Sequence, residues 1–386
     1  MKKIYLDHAA ATPLDKNVAR VMDKFWAEKF YNPSAGYLAA KEVRDEIEAA
    51  RGKVARILGT KPAEVIFTAG GSESNNLAIR GIMDNFRSEH VAISAIEHES
   101  VLRTASQYNL SIFPVKKDGL IDINQLAKII KDETVLVSIM YANNEIGTVQ
   151  PLAQVGQLIS QIREDRQKNG NNLPLYFHTD ASQAANYQDL HVDRLKVDLM
   201  TLSGSKIYGP KQSSCLYVRG GIELLPIVFG GGQESGLRSG TENVPAIIGF
   251  SKALEIAQEI RKQESYRLSS LKNKFIEEIK QSNPDVIING NQKHCLPNVV
   301  SLTFPDVDGE SLMMLLDQMG VMISTGSACS ASDDSPSHVL KSIGLSEQES
   351  NSTIRVSMGR LNSEQDINAA IDAFKKALSG LQFTGN

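Results

Sequence analysis

The chain reads as an α/β protein, with a mostly parallel sheet in a large domain and a smaller α+β domain behind it. Three observations predict this. Short apolar runs alternate with stretches of helical periodicity over the first two-thirds of the chain. Residues suited to starting or stopping helices, such as Gly59 and Pro151, stand at the joins. The 386 residues also exceed what one compact core of about 100–200 residues usually holds.

In chain order, residues 37–58 place Val43, Ile47, Ala50, Val54, Ile57 and Leu58 at helical spacing, and Gly59 is the expected stop. The run 65–67 predicts a strand, and the Gly70-Gly71-Ser72 turn after it leads into another helix. Strands are then expected at 91–94, 110–115, 134–140, 175–178, 198–202 and 215–218, and residues 151–167 form a helix begun by proline. Strands spaced by helices favour a sheet covered on both faces. Residues 246–281 read as one long helix ended by Pro284, with short strands at 286–288 and 299–304 and a closing helix at 364–378. The expected division is a large domain of residues 14–260 and a small domain made of 1–13 and 261–386.

Composition excludes several classes. There are 41 Lys+Arg against 45 Asp+Glu, a formal charge of −4, and no basic block, which disfavours a phosphate-backbone binder. No apolar run approaches the roughly 18 residues of a membrane span. The start of the chain lacks the apolar core of a signal peptide, so a cytoplasmic location is expected. Cys215, Cys295 and Cys329 are too few and too scattered for a disulfide framework or a metal cage.

Four polar segments lie at strand ends, where open α/β sheets bind ligands. In residues 67–76, the N–H groups of Gly71 and Ser72 open a helix and suit a phosphate; a plain serine N-cap suits the same residues. In 177–183, a strand delivers Asp180 to its end, either to pair with a cationic ring nitrogen or to act as an N-cap for the next segment. In 202–211, Lys206 sits among hydroxyls before a Gly-Pro turn, where a lysine can form a Schiff base or remain a solvated charge. In 324–336, small and polar residues flank Cys329 on both sides, unlike the apolar surroundings a packed cysteine prefers. Cys215 and Cys295 fit the packing role better.

An acid, a lysine and a phosphate turn are the parts a pyridoxal phosphate site needs. With them, the chain resembles the cysteine desulfurases, in the NifS/IscS-like branch of the class V pyridoxal-phosphate-dependent aminotransferases. The likeness rests on Tyr5-Leu6-Asp7-His8-Ala9-Ala10-Ala11-Thr12-Pro13, Asn32-Pro33-Ser34, residues 68–76, Glu97-His98, Asn143-Asn144-Glu145-Ile146-Gly147, residues 180–183 and 203–211, Gly230-Gly231-Gly232, Arg238-Ser239-Gly240-Thr241, Gly326-Ser327-Ala328-Cys329 and Ile354-Arg355.

The resemblance implies the fold type I architecture and a pyridoxal 5′-phosphate cofactor. By it, Lys206 would link to the cofactor and move protons, Asp180 would hold the ring nitrogen's proton, and Gln183 would bond the ring hydroxyl. His98 would stack on the ring and act on the substrate thiol as acid/base. Gly71, Ser72, Ser203 and Ser205 would grip the phosphate, Asn144 would touch the cofactor, and Thr241 would reach in from the second subunit of a homodimer. Asn32 and Arg355 would bind the carboxylate of L-cysteine, and Cys329 would take its sulfur as a persulfide, leaving L-alanine. A sulfur-acceptor protein, such as an iron–sulfur cluster scaffold, would receive it; neither nucleic acid nor membrane is an expected partner. Two positions depart from the family pattern. Ser205 stands where a histidine is frequent, so altered phosphate binding is expected, and no histidine follows Asn32-Pro33-Ser34 closely. The rival readings are a selenocysteine lyase, another enzyme of the same fold such as an aminotransferase, and a non-catalytic sulfur-trafficking scaffold.

Overall fold

A computed structural model describes residues 3–325 and 336–383. Thirteen strands are described. Ile4–Tyr5 (β1) is followed by Val65–Thr68 (β2), His90–Ser94 (β3), Asn109–Phe113 (β4), Thr134–Ser138 (β5), Tyr176–Asp180 (β6), Leu199–Ser203 (β7) and Ser214–Val218 (β8). Then come Ile287–Asn289 (β9), Val299–Thr303 (β10), Val321–Met322 (β11), Ser324–Thr325 (β12) and Thr353–Ser357 (β13). The large sheet runs β2-β8-β7-β6-β5-β3-β4, the smaller one β12-β13-β10-β9, and β1 pairs with β11.

In the large sheet, the pairs joining β4, β3, β5, β6 and β7 are parallel, while β8 runs antiparallel to both its neighbours. The mostly parallel sheet is as the sequence predicts. The exception has a simple cause: residues 204–213 are too short for the crossover that a parallel neighbour would require, so β7 and β8 join directly.

Apart from the edge strand β4, which is partly exposed, the strands of the large sheet bury both of their faces, which is why they read as unbroken apolar runs. Val91, Ile93, Leu136, Leu199 and Leu216 face one core together with Leu77, Ile79 and Ile82 of the helix Gly71–Met83. Ala92, Val137, Phe177, Met200, Leu202 and Cys215 face the other, against Phe250 and Leu254 of the long helix Val244–Ser282. The first half of that helix lies under the large sheet. Its second half carries Leu268, Leu271, Phe275 and Ile279 into the core beneath the small sheet, with Phe275 edge-on to Phe374 of the closing helix Glu364–Phe383. No described helix is long and apolar enough to cross a membrane.

The helix Leu38–Leu58 ends where Gly59 turns left-handed at φ 72°, and His191 occupies the space that a Cβ there would need. The same helix fixes the end of β2. Its Arg51 donates to both carboxylate oxygens of Glu234, at 2.7 and 2.8 Å, and to the carbonyl of Val65. Glu234, almost wholly buried, also accepts from the Phe67 N–H at 2.8 Å, so one ion pair holds the strand that leads into the Gly70-Gly71 turn. Removing one member of a buried pair strands the other charge. Arg51→Ala is therefore expected to cost about 3–5 kcal/mol, measured by urea unfolding.

Candidate active site

The strand ends converge on one cavity of about 520 Å³. Gly71, Ser72, His98, Asn144, Asp180, Gln183, Ser203, Ser205 and Lys206 all line it, together with Ala9, Ala10 and Met140. The parallel order β5-β6-β7 accounts for this meeting. Neighbouring strands stand roughly 4.8 Å apart and end at the same edge, so the residues after β5, Asp180 at the end of β6 and Ser203 at the end of β7 become neighbours.

The helix Gly71–Met83 opens on this cavity. Its cap is Gly70, with extended backbone and no side chain to bond the first N–H groups. This decides against the serine N-cap alternative, and the amides of the first turn, with the positive end of the helix, are left for an anion. Across from them the hydroxyls of Ser203 and Ser205 lie 3.1 Å apart. A Cβ on Gly71 would touch the side chains of Ser182 and Ser203 at 3.5 Å, so this glycine keeps the cradle open.

Asp180 is buried to 8 % exposure. It accepts from the Ser182 N–H at 2.9 Å and from Asn75 Nδ2 at 2.8 Å, so it both caps the following turn and presents a fixed acid to the cavity. Behind it, His178 lies between Ser138 and Thr201, and burial pulls its pKa down to about 4, so it is neutral at physiological pH. Lys206 follows β7 in a single helical turn. Gly204 in that turn packs against Ser213 so closely that a side chain would collide. The Lys206 Nζ donates to the carbonyls of Ala9 at 3.0 Å and Ala10 at 2.6 Å. Gln183 Nε2 also donates to Ala9, at 2.9 Å.

His98 caps the helix Glu99–Ala105 through its own ring: Nδ1 accepts from the Ser100 N–H at 3.1 Å and lies 2.8 Å from Ser100 Oγ. Burial lowers its pKa, partly opposed by the charge of Asp180.

The remaining predicted residues do not line this cavity. Arg355 is buried, donating to Asp7 at 2.7 Å and to the carbonyl of Asn144 at 3.3 Å, while its Nε has no partner among the described residues. It faces Ser324 across the β12–β13 pair, just ahead of the segment holding Cys329. Asn32 is exposed in a turn, where its Oδ1 accepts from the Ser34 N–H. Thr241 lines a smaller neighbouring cavity of about 170 Å³ with Arg238, which pairs with Glu73 at 2.9 Å. Cys329 lies outside the described residues. Of the other cysteines, Cys215 is fully buried in β8, where burial pushes its thiol pKa up, as befits a packing residue. Cys295 is half-buried, and Lys272 donates to its sulfur at 3.3 Å, so it is more than filler.

Sequence reasoning assigned no role to the partners that hold these groups: Asp7, Asn75, Ser100 and the carbonyls of Ala9 and Ala10. It gave no role to Glu97 either. This carboxyl is 1 % exposed; Oε1 accepts from the Met140 N–H at 2.7 Å, and Oε2 has no partner among the described residues. Burial, with the charge of Asp180 adding, raises its pKa well above the ordinary carboxylate range. The native state thus keeps a proton that the unfolded chain releases, and stability falls as pH rises above about 4.3 toward the native pKa. Glu97→Gln keeps the acceptor without the ionisation. Its stability relative to the wild type is expected to grow as pH rises above about 5, checked by urea unfolding over a pH series.

The fold and sequence have counterparts among known proteins. The model of the family described as aminotransferase class-V matches residues 4–370. Cysteine desulfurase IscS of Dictyoglomus turgidum is 39% identical, covering 99% of this chain and 96% of the relative. A solved NifS-like protein superimposes with a TM-score of 0.89 at 32% identity, over 98% of this chain and 100% of that one. A second solved relative, SspA in complex with cysteine, is 35% identical with a TM-score of 0.79, over 92% of this chain and 99% of that one. With likeness running through nearly the whole chain, the protein belongs to the class-V aminotransferases, among their cysteine desulfurases.

Proposed function

We propose that the chain works on L-cysteine with pyridoxal 5′-phosphate in the 520 Å³ cavity and with Cys329 as the sulfur carrier. The single observation that carries this reading is the convergence of a lysine, a buried acid and an uncapped helix N-terminus with two hydroxyls on one cavity. Those residues suit the cofactor's aldehyde, ring nitrogen and phosphate in turn. Ser205 supports the phosphate cradle with a hydroxyl donor where a histidine is frequent in the family. When bound, pyridoxal phosphate supplies an electron sink for chemistry at the substrate Cα.

The chain's own residues do the rest. Lys206 leaves the carbonyls of Ala9 and Ala10 to hold the cofactor, and later moves protons at the substrate Cα. Asp180, fixed by Ser182 and Asn75, keeps a proton on the ring nitrogen, with Gln183 and Asn144 beside it. Arg355 and Asn32 bind the substrate carboxylate; the unpartnered Nε of Arg355 is the edge left for it, since Asp7 already takes Nη2. His98 faces the substrate sulfur. The Cys329 thiolate forms an S–S bond to that sulfur as the substrate's Cβ–S bond breaks. The electron pair stays with the carbon skeleton, which takes up a proton and departs as alanine.

The persulfide then passes to an acceptor protein, such as an iron–sulfur cluster scaffold. A reducing cytoplasm keeps the acceptor and carrier thiols available. A homodimer fits the place of Thr241, outside its own chain's cofactor cavity and on the segment that Arg238 ties to Glu73, from which it would serve the partner's site. The small domain, residues 1–13 and 261–386, would carry the cysteine and the large domain, 14–260, the cofactor.

Mass spectrometry of the cofactor-loaded protein after incubation with cysteine is expected to show one added sulfur on Cys329. Cys329→Ala should keep the visible absorption of the bound cofactor and lose alanine formation, whereas Lys206→Ala should lose that absorption. Undiminished alanine from Cys329→Ala would rule out the persulfide route. A colourless protein that cannot be reconstituted would favour the scaffold reading.

A further inference from the structure

Glu145 stands in the motif Asn143-Asn144-Glu145-Ile146-Gly147, of which the proposed function uses only Asn144. It is buried, and its backbone is fixed: its N–H donates to Asn143 Oδ1 at 2.8 Å, while Asn143 Nδ2 donates to the carbonyl of Ile96 at 3.0 Å. Its carboxylate reaches across to the small domain. There the Ser337 hydroxyl donates to Glu145 Oε2 at 2.5 Å, and the same oxygen accepts from the N–H groups of Val339 and Leu340. Burial raises the Glu145 pKa, with the Ser337 hydroxyl and the charge of Arg355 opposing it.

Ser337 caps the short helix His338–Ser342, and the next residue makes a second attachment. His338 Nε2 donates to the carbonyl of Glu97 at 2.8 Å, and its Nδ1 lies 3.6 Å from the Glu99 carboxylate. These partners stand on either side of His98 in the chain. Beneath them Val339, Leu340 and Ile343 pack on Ile96, Met140 and Ile146. Apolar contact is non-directional, so it holds the helix down without fixing its rotation. The bonds of Ser337 and His338 supply that direction.

The residues described on the two sides of positions 326–335, which include Cys329, thus meet at one place. On the earlier side, Ser324 of β12 is buried and stands opposite Arg355, which donates to the carbonyl of Asn144. On the later side, Ser337 bonds Glu145, the residue after Asn144. Glu145, Ser337 and His338 do not themselves line the cofactor cavity.

We propose that Glu145, Ser337 and His338 are positioning residues for sulfur transfer, fixing where the chain that carries Cys329 rejoins the wall of the cofactor cavity. This rests on the reading of Cys329 as the sulfur carrier. Attack on the substrate sulfur requires the thiolate to approach in line with the Cβ–S bond, and a misplacement of about 1 Å can cost about a hundredfold in such a step. Because none of the three residues lines the cavity, cofactor and cysteine binding do not depend on them.

The test follows sulfur addition to Cys329 in a single turnover of the full, cofactor-loaded protein, by rapid quenching and mass spectrometry. Ser337→Ala is expected to slow this addition about tenfold, with the cysteine concentration giving half-maximal rate and the visible absorption of the bound cofactor unchanged. Ser337→Thr, which keeps the hydroxyl, restores the rate, and His338→Ala slows it as Ser337→Ala does. An unchanged rate in both alanine variants overturns the proposal, and so does an unchanged rate with lower urea stability in Ser337→Ala, which would leave Ser337 a helix cap only. A slower rate traced to weaker cysteine binding or to lost cofactor absorption overturns it as well. Absence of added sulfur on Cys329 in the wild type would instead sink the carrier reading on which the proposal rests.

Discussion

Everything at this site depends on the common polarity of β5, β6 and β7. Parallel neighbours end at the same edge, and side chains emerging there are separated by strand spacing, not by sequence distance. Asp180 and Ser203 are thereby held by the backbone ladder of the largest sheet, with both faces packed in apolar side chains. The rigid parts of the molecule thus carry the groups proposed to hold a cofactor. The groups proposed to address substrate come from elsewhere in the chain: Arg355 from β13, and Cys329 from the residues that follow β12 in sequence.

Polar groups in the interior are matched in a directed way. Asp180 sets the orientation of Asn75, Asn75 engages Ser100, and Ser100 engages His98, so one buried carboxylate orders three further side chains. Low local dielectric makes each of these bonds count for more than on the surface, and makes a mismatch costly. Glu97 is the contrasting case, a buried acid whose second oxygen has no described partner, and the surroundings answer by favouring its protonated form.

The strands and long helices were legible in the sequence because their apolar periodicity is local. The long helix over Val244–Ser282, and the Gly59 stop of the helix Leu38–Leu58, follow from spacing and backbone preference alone. Lys206, Asp180 and His98 were legible because they sit at the ends of such elements in recognisable company. Asp7, Asn75 and Ser100 were not assigned roles, since each matters only through a partner brought near by the fold: Arg355 lies 348 positions from Asp7, and Asp180 105 from Asn75. The antiparallel direction of β8 is carried by the brevity of the β7–β8 link, which apolar pattern alone does not register.

The segment after β1 has a consequence for how the molecule is made. Ile4 pairs with Val321, Leu6 with the amide of Ser357, and Asp7 with Arg355, so residues 4–7 find these partners only after residues 321–357 have been made. Contacts of such sequence separation close late, after the local βα units have formed. The carbonyls of Ala9 and Ala10, which belong to the cofactor cavity, therefore arrive with the final closure. A chain that stops short of residues 321–357 lacks the partners that hold the segment leading to Ala9 and Ala10.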